Sequence, residues 1–332
     1  MSTKKFVFIT GATGFVGSAI VKRLRESGFV VQGLSRKERS TDEGVRWVCG
    51  DIRNSDALFN VLEGCEVVVN AAGKTGEPED SESIKDFFSV NQSAAGRLAW
   101  VAREAGVKKF IHVSSTGVFG HGKGEYTEKS MPSPETAYER SKLAGETEVL
   151  AQTCKDFSVT VIRPSNIFGE HHPWDKLLTW LRTVKCRRTV LVGDPARYWV
   201  NYVYIGDVSE FVKQLVSDNL GTANYPAGKL VNINTPLSVL DFYKASSRAL
   251  EITTNQISIP RPMLMATANL LDLLSGIVGK PFPLTSGKVR ELCNEQVFCS
   301  TSAYLKQSGF PFVGIMEGLR RTCKHYEHRG LL

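Results

Sequence analysis

The chain has 332 residues, 42% of them hydrophobic, and a net charge of +7. That is enough apolar material for one large domain or two lobes with a full core. The charges are interspersed rather than in runs and no nucleic-acid motif appears, which argues against a nucleic-acid partner, although an anionic ligand would use the same bias. Seven scattered cysteines without a Cys-x-x-Cys predict reduced thiols in a cytoplasmic protein. A strand opening by Phe6 leaves no room for a signal peptide.

Taken in order, Phe6-Val7-Phe8-Ile9 reads as a buried strand. Thr10-Gly11-Ala12-Thr13-Gly14-Phe15-Val16-Gly17 follows, and then a helical pattern from Ser18 to Glu26. Strand, tight glycine turn and helix form a dinucleotide cradle. The glycines let the backbone turn sharply and approach a pyrophosphate, and the helix N-terminus offers free N–H groups. Further strands are expected at Gly28–Leu34, Arg46–Cys49, Glu66–Ala71, Lys109–Val113 and Ser158–Ile162, with a long helical region around Ile84 to Ala105. Continuous Val/Ile runs alternating with helices predict an α/β fold with a doubly wound parallel sheet. After Pro164 helices dominate, with short strands near Val190–Val192 and Leu230–Ile233 and a closing helix over Gly314–His328. This part reads as a smaller lobe over the C-terminal edge of the sheet. The longest apolar stretch, Met263–Val278, is interrupted by Asn269 and Asp272 and is too short and polar for an integral membrane span. It is expected to cover the substrate lobe, with peripheral membrane contact as the lesser alternative.

Leu34-Ser35-Arg36-Lys37 has no carboxylate where NAD sites usually place one for the ribose hydroxyl. Arg36 can pair with a 2′-phosphate and Ser35 can donate to it, so NADP(H) is expected ahead of NAD(H). A solvated basic turn is the plainer alternative. Tyr138-Glu139-Arg140-Ser141-Lys142 puts a phenol and an ammonium on one helix face, about 5–6 Å apart at Cβ. The Lys142 ammonium is expected to lower the Tyr138 pKa and make a proton shuttle near neutral pH. His171 and His172 are adjacent, without a partner at ligand spacing, so no metal is expected there.

TGATGFVG resembles the extended short-chain dehydrogenase/reductase family, which includes nucleotide-sugar epimerases, dehydratases and reductases and the 3β-hydroxysteroid dehydrogenases. The resemblance implies a Rossmann domain over residues 1–168 and a mostly helical substrate lobe over 169–332, some segments of which return to the first. It implies cofactor contacts from Gly11, Thr13, Gly14, Phe15, Val16 and Gly17, and from Ser35 and Arg36. Asp51 and Ile52 would flank the adenine, and Ala71, Ala72 and Gly73 would pass the ribose. Tyr138, Lys142 and Pro164 would complete the cofactor site. Ser115, five residues before Gly120, is the implied partner of Tyr138 and Lys142, with Ser114 and Thr116 as neighbouring candidates, and Asn91 supports the site.

Ser115, Thr116 and Asn166 are the substrate candidates, Asn166 because Arg163–Gly169 is similar to the loop of nucleotide-sugar enzymes. Those enzymes usually carry an arginine seven residues before the aspartate matched by Asp207. That position is Val200, and Arg197 lies three residues earlier. Val200–Val208 looks more like the 3β-hydroxysteroid dehydrogenases. The expected activity is hydride transfer at a secondary alcohol or ketone of a small molecule. A nucleotide-activated sugar leads narrowly, a steroid or lipid-like substrate is the alternative, and an idle NADP-sensing regulator is a distant third. A homodimer is expected.

Overall fold

A computed structural model describes residues 6–40, 44–76, 80–120, 124–172, 176–186, 190–192, 195–218, 229–253, 257–278, 285–287, 289 and 298–332. The chain opens with β1 (Phe6–Thr10), α1 (Phe15–Glu26), β2 (Val30–Ser35), β3 (Val45–Cys49), α2 (Phe59–Leu62) and β4 (Val67–Asn70). There follow α3 (Ser81–Phe88), α4 (Ala95–Glu104), β5 (Lys109–Val113), β6 (Glu125–Tyr126), α5 (Ala137–Leu150), β7 (Ser158–Pro164) and β8 (Asn166–Phe168). The second half holds α6 (Lys176–Lys185), β9 (Val190–Val192), β10 (Trp199–Tyr204), α7 (Ile205–Ser217), β11 (Lys229–Ile233), β12 (Thr235–Ser238) and α8 (Val239–Ala249). It closes with β13 (Ile257–Ile259), α9 (Arg261–Val278), β14 (Phe298–Cys299), α10 (Ala303–Gln307) and α11 (Gly314–His328).

Seven parallel strands form the central sheet in the order β11-β7-β5-β4-β1-β2-β3. The chain reverses direction across the sheet between β1 and β4, the switch point where such sheets bind ligands. Both faces are covered, as the unbroken apolar strands require. On one face α1 and α7 pack through Ile20, Leu24, Val208, Phe211 and Leu215. On the other, Leu98, Ala99, Val101 and Val149 from α4 and α5 meet Phe8, Val68, Phe110 and Val159. The buried Lys109 ammonium donates to the carbonyl of Leu215 at 3.0 Å. A cation at the C-terminal end of α7 complements the negative end of its dipole and anchors the helix to β5.

The second lobe is built on the sheet β12-β10-β8 and packs α6, α8 and α11 around Phe168, Leu181, Tyr204 and Leu319. The Asp207 carboxylate accepts from the backbone N–H groups of Val313 (2.6 Å) and Gly314 (3.1 Å) and so fixes the start of α11. The two lobes interleave along the chain. β11 and α7 both follow residue 169, yet β11 pairs with β7 and α7 covers the central sheet.

The expected helix over 84–105 is three elements. Between α3 and α4 the chain makes a π-helical turn over Ser89–Ala94. α1 starts at Phe15, earlier than its apolar pattern showed, because Gly14 is its cap. The run Pro173–Lys185 reads as a helix in the sequence; its described part, Lys176–Lys185, is α6, and 173–175 lie outside the described residues.

Candidate active site

Gly11 has φ +64°, and a Cβ there would meet the Ala71 carbonyl at 2.5 Å. A Cβ on Gly17 would lie 2.0 Å from the Gly11 carbonyl oxygen. The turn is therefore closed by backbone touching backbone, which only glycine permits. Gly14 caps α1 without a side-chain hydrogen bond, and there is no acid in the first turn. The free N–H groups of α1 thus face outward beside the turn and suit an anion.

A cleft of about 300 Å³ opens there, at the lower end of the range for ligand sites. Gly11, Thr13 and Gly14 line one wall, and Ala71, Ala72 and Gly73 line the floor at the end of β4. Arg36, Asp51 and Ile52 close the far end. Nine expected cofactor residues therefore meet in one place. Six further lining residues were not expected as cofactor contacts: Leu34, Gly50, Arg53, Lys74, Asp86 and Val90. Arg53 pairs with Asp51 at 2.8 Å, and Lys74 with Asp86 at 3.3 Å. The Arg53 hydrogen bond holds the Asp51 carboxyl below its ordinary range, with a smaller contribution from Arg36. Such charges at surface turns look ordinary in a sequence.

Phe15, Val16, Gly17, Ser35, Tyr138, Lys142 and Pro164 are not among the lining residues. Phe15 lies edge-on to His172 at 4.7 Å between ring centroids, and Val16 packs into the core. Buried Ser35 accepts from the Lys37 N–H at 3.3 Å and shapes the turn. Pro164 ends β7 opposite Ile233.

Beyond Gly73 lies the second cluster. A Cβ on Gly73 would sit 3.2 Å from Asn91 Oδ1 and 3.7 Å from Lys142 Nζ. Asn91 is buried in the π-turn. It accepts from the Lys74 N–H (2.8 Å) and donates to the Lys74 carbonyl (3.0 Å) and to Ser141 Oγ (2.9 Å). It clamps the loop after β4 to α5, an arrangement that a π-turn, often found at functional sites, makes available.

α5 is fixed by a capping box. Glu139 N–H donates to Thr136 Oγ1, and the Glu139 carboxylate accepts from the N–H groups of Thr136 and Glu135. Tyr138, in that first turn, is half-buried, and the Ser115 hydroxyl is near enough to act on its phenol. Ser115 itself caps the short 3₁₀ turn Thr116–Phe119 and accepts from the Gly117 N–H at 3.1 Å. Buried Ser114 Oγ has no partner among the described residues, and Thr116 is half-buried.

Lys142 departs from the expected pairing. Its ammonium, 4% exposed, donates to the Val113 carbonyl at 2.6 Å, and no hydrogen bond joins it to Tyr138 among the described residues. The Tyr138 pKa moves up, not down: burial dominates, the Ser115 hydroxyl opposes it, and Glu139 adds to the rise. Burial pulls Lys142 down to about 8, against the charge of Glu146. Sharing a helix face brought the two side chains to one place, but the nearest carbonyl took the ammonium.

Beneath this cluster Glu146, one turn beyond Lys142, makes a bidentate ion pair with Arg163 of β7. The two side chains are 2% and 1% exposed. Thr10 Oγ1 donates to Asn70 Oδ1 at 2.6 Å, and Asn70 Nδ2 meets His112 Nδ1 at 3.1 Å. His112 is fully buried and pushed well below its ordinary pKa by desolvation, with Lys142 adding to the shift, so it is neutral and accepts from Asn70. Asn166 is exposed at the start of β8, which pairs with Tyr202 of β10, and Val200 is half-buried in the same strand. His171 lies edge-on to His325 at 4.2 Å between ring centroids, and no cluster suited to a metal occurs among the described residues.

A doubly wound parallel sheet, a glycine turn at its switch point and a cleft floored by small residues define a Rossmann-type dinucleotide-binding protein. The NAD dependent epimerase/dehydratase family matches residues 7–230. The N-acetyl-alpha-D-glucosaminyl-diphospho-ditrans,octacis-undecaprenol 4-epimerase of Escherichia coli O157:H7 is 26% identical over 328 residues, covering 96% of this chain and 94% of its own. The ceramide reductase of Caulobacter vibrioides is 27% identical over 334 residues, covering 98% and 96%. The structure of MoeE5 in complex with UDP-glucose and NAD superposes with a TM-score of 0.69 at 21% identity, over 98% of this chain and 99% of that one. The chain belongs to the NAD-dependent epimerase/dehydratase family, within the extended short-chain dehydrogenases/reductases, and is an NAD(P)-dependent oxidoreductase or epimerase.

Proposed function

We propose that the protein transfers a hydride between NADP(H) and a secondary alcohol or ketone carbon, with Ser115, Tyr138 and Lys142 as the reacting site. The observation that carries this reading is the capped helix α5, which sets Tyr138 and the buried Lys142 one turn apart beside Ser115, with Lys142 Nζ 3.7 Å from where a Cβ on the cleft residue Gly73 would sit. The dinucleotide fits the cleft: the turn at Gly11 has no room for a side chain against Ala71, so backbone and small residues line the floor, and the α1 N–H groups would meet the pyrophosphate. Arg36 and Arg53 at the far end suit a 2′-phosphate, and Arg36, exposed and without a carboxylate of its own on β2, reads it. The bound cofactor supplies or accepts the hydride at its nicotinamide.

Ser115 holds the substrate oxygen. Tyr138, kept protonated by burial, gives that oxygen a proton during reduction and takes it back during oxidation. Lys142, with a pKa near 8, is largely cationic at neutral pH and stabilises the phenolate left behind. Asn91 positions the loop after β4 without touching the reacting atoms.

The substrate class best supported is a lipid-borne alcohol or ketone. Both full-length relatives described above are named for lipid-borne substrates, an undecaprenol-diphosphate sugar and a ceramide. Val200 stands where nucleotide-sugar enzymes usually carry arginine. A nucleotide-activated sugar is the second reading, favoured by the exposure of Asn166 at the start of β8. Thermal shift with NADPH present, comparing detergent-dispersed keto-lipids with nucleotide sugars, separates the two, because a ligand raises stability by mass action. Tyr138→Phe should keep NADPH affinity and lose about 10²–10⁴-fold in turnover. Near-normal turnover in that variant would refute the mechanism.

A further inference from the structure

α9 (Arg261–Val278) carries its apolar side outward. Ala268 is fully buried, and Leu264 and Met265 pack with it against Tyr198 and Val239. On the other side Met263, Leu270 and Leu273 are 64%, 57% and 66% exposed, and Leu274 adds 37%. Spacings of 7, 10 and 11 residues from Met263 place all four on one face, and Ala266 between them is exposed too. A surface helix of a globular protein normally shows the reverse, and contiguous exposed apolar patches mark interaction sites.

The charges around the helix indicate what covers it. The one acid within it, Asp272, accepts from the Ser286 N–H at 3.0 Å and is turned toward the protein. Arg261 is exposed at the first position. The sequence adds Lys280 two residues past the end. An uncharged apolar face with basic ends is the pattern of a helix that lies in a membrane interface, its cations meeting anionic headgroups. No helix among the described residues is long and apolar enough to cross a membrane. A second copy of this chain would bring the same basic ends together, which their like charge opposes.

We propose that the outer face of α9 docks the protein on an anionic lipid membrane, with the helix in the plane of the interface. The inference draws its occupant from the lipid-borne reading of the substrate and adds to it a place of contact. α9 seats on Tyr198, the residue before β10, and β10 pairs with β8, which begins at Asn166. The docking face therefore belongs to the same lobe as the substrate loop.

The test is co-sedimentation of the full chain with substrate-free vesicles, either pure phosphatidylcholine or with about one third phosphatidylglycerol. The wild type should sediment with the anionic vesicles, less with the neutral ones, and less at high salt. Leu270→Gln with Leu273→Gln should reduce the bound fraction at least about tenfold while NADPH binding stays intact, which certifies folding. Arg261→Glu should weaken binding to the anionic vesicles alone. Wild-type protein left in the supernatant, or unchanged binding of the leucine variant, overturns the proposal. So does a wild-type dimer that the same leucine changes convert to monomer, since a second copy would then cover the face. Turnover of a detergent-dispersed keto-lipid without vesicles tests the substrate reading separately, and its failure leaves the vesicle result standing.

Discussion

Glu146→Gln probes how the buried ion pair supports the reacting site. Glu146 and Arg163 form two hydrogen bonds with both side chains almost fully buried. Arg163 Nη1 already lacks a partner among the described residues, and the guanidinium lies 5.0 Å from the Phe119 ring centroid. Neutralising Glu146 leaves a buried cation without a counter-charge. Breaking such a pair by removing one partner costs about 3–5 kcal/mol, and a glutamine that keeps one acceptor belongs at the low end, about 3 kcal/mol. For a chain of this size that lowers Tm by roughly 4 °C.

A second effect follows from the Glu146 charge, which lifts the Lys142 pKa against desolvation. Without it Lys142 falls below about 8, and any loss of turnover with rising pH should begin at lower pH. The sign for stability follows from proton counting. Unfolded lysine keeps its proton to about 10.5, whereas folded Lys142 releases it near 8. Between those values the unfolded state binds more protons, so this group makes stability rise with pH. In the variant that window should open at lower pH. Differential scanning calorimetry and kcat measured from pH 6 to about 9.5 read both effects. An unchanged Tm together with an unmoved alkaline limb would refute the coupling.

Arg36→Ala should weaken NADP(H) by roughly 10–100-fold and leave NAD(H) nearly unchanged, as read by fluorescence titration. The low end is expected, because Lys37 is exposed beside it, while Arg53 is held by Asp51. Equal losses for both cofactors would show that Arg36 does not read the 2′-phosphate. Gly17→Ala should abolish binding of either cofactor and destabilise the chain, since its Cβ would lie 2.0 Å from the Gly11 carbonyl oxygen. Wild-type cofactor affinity in that variant would show that the turn relaxes and is not the closed contact described.

The glycine turn and the strands were legible because each has a strong local cause. A left-handed φ at Gly11 admits little else, and strands buried on both faces must be written in Val, Ile and Phe. Tyr138, Lys142 and Ser115 could be placed on their elements for the same reason. What those side chains touch was not legible. The Val113 carbonyl that takes the Lys142 ammonium comes from a strand 29 residues earlier, and helix spacing carries no information about it. The π-turn at Ser89–Ala94 shifts hydrogen bonds without changing residue type, so the pattern reads as one helix. Leu230–Ile233 announces a strand but not its partner, because a short apolar run fits any sheet. The matched aspartate, Asp207, reads as part of a motif, and its contact with the α11 start appears only in three dimensions.

The position of β11 constrains how the chain can be made. β7 is complete at Pro164, but the strand that pairs with its outer side begins at Lys229. During synthesis, therefore, about 65 further residues must emerge before that edge is satisfied, and α7 must also arrive to cover Val203, Ile111 and Val231 on one face. Until then the nascent sheet presents unpaired β7 backbone groups in a strand of Val and Ile, a template for pairing with another chain. The contact order of the fold is raised by this one return. The interval between β7 and β11 is the period of greatest aggregation hazard on the ribosome, when a chaperone would have the most to shield.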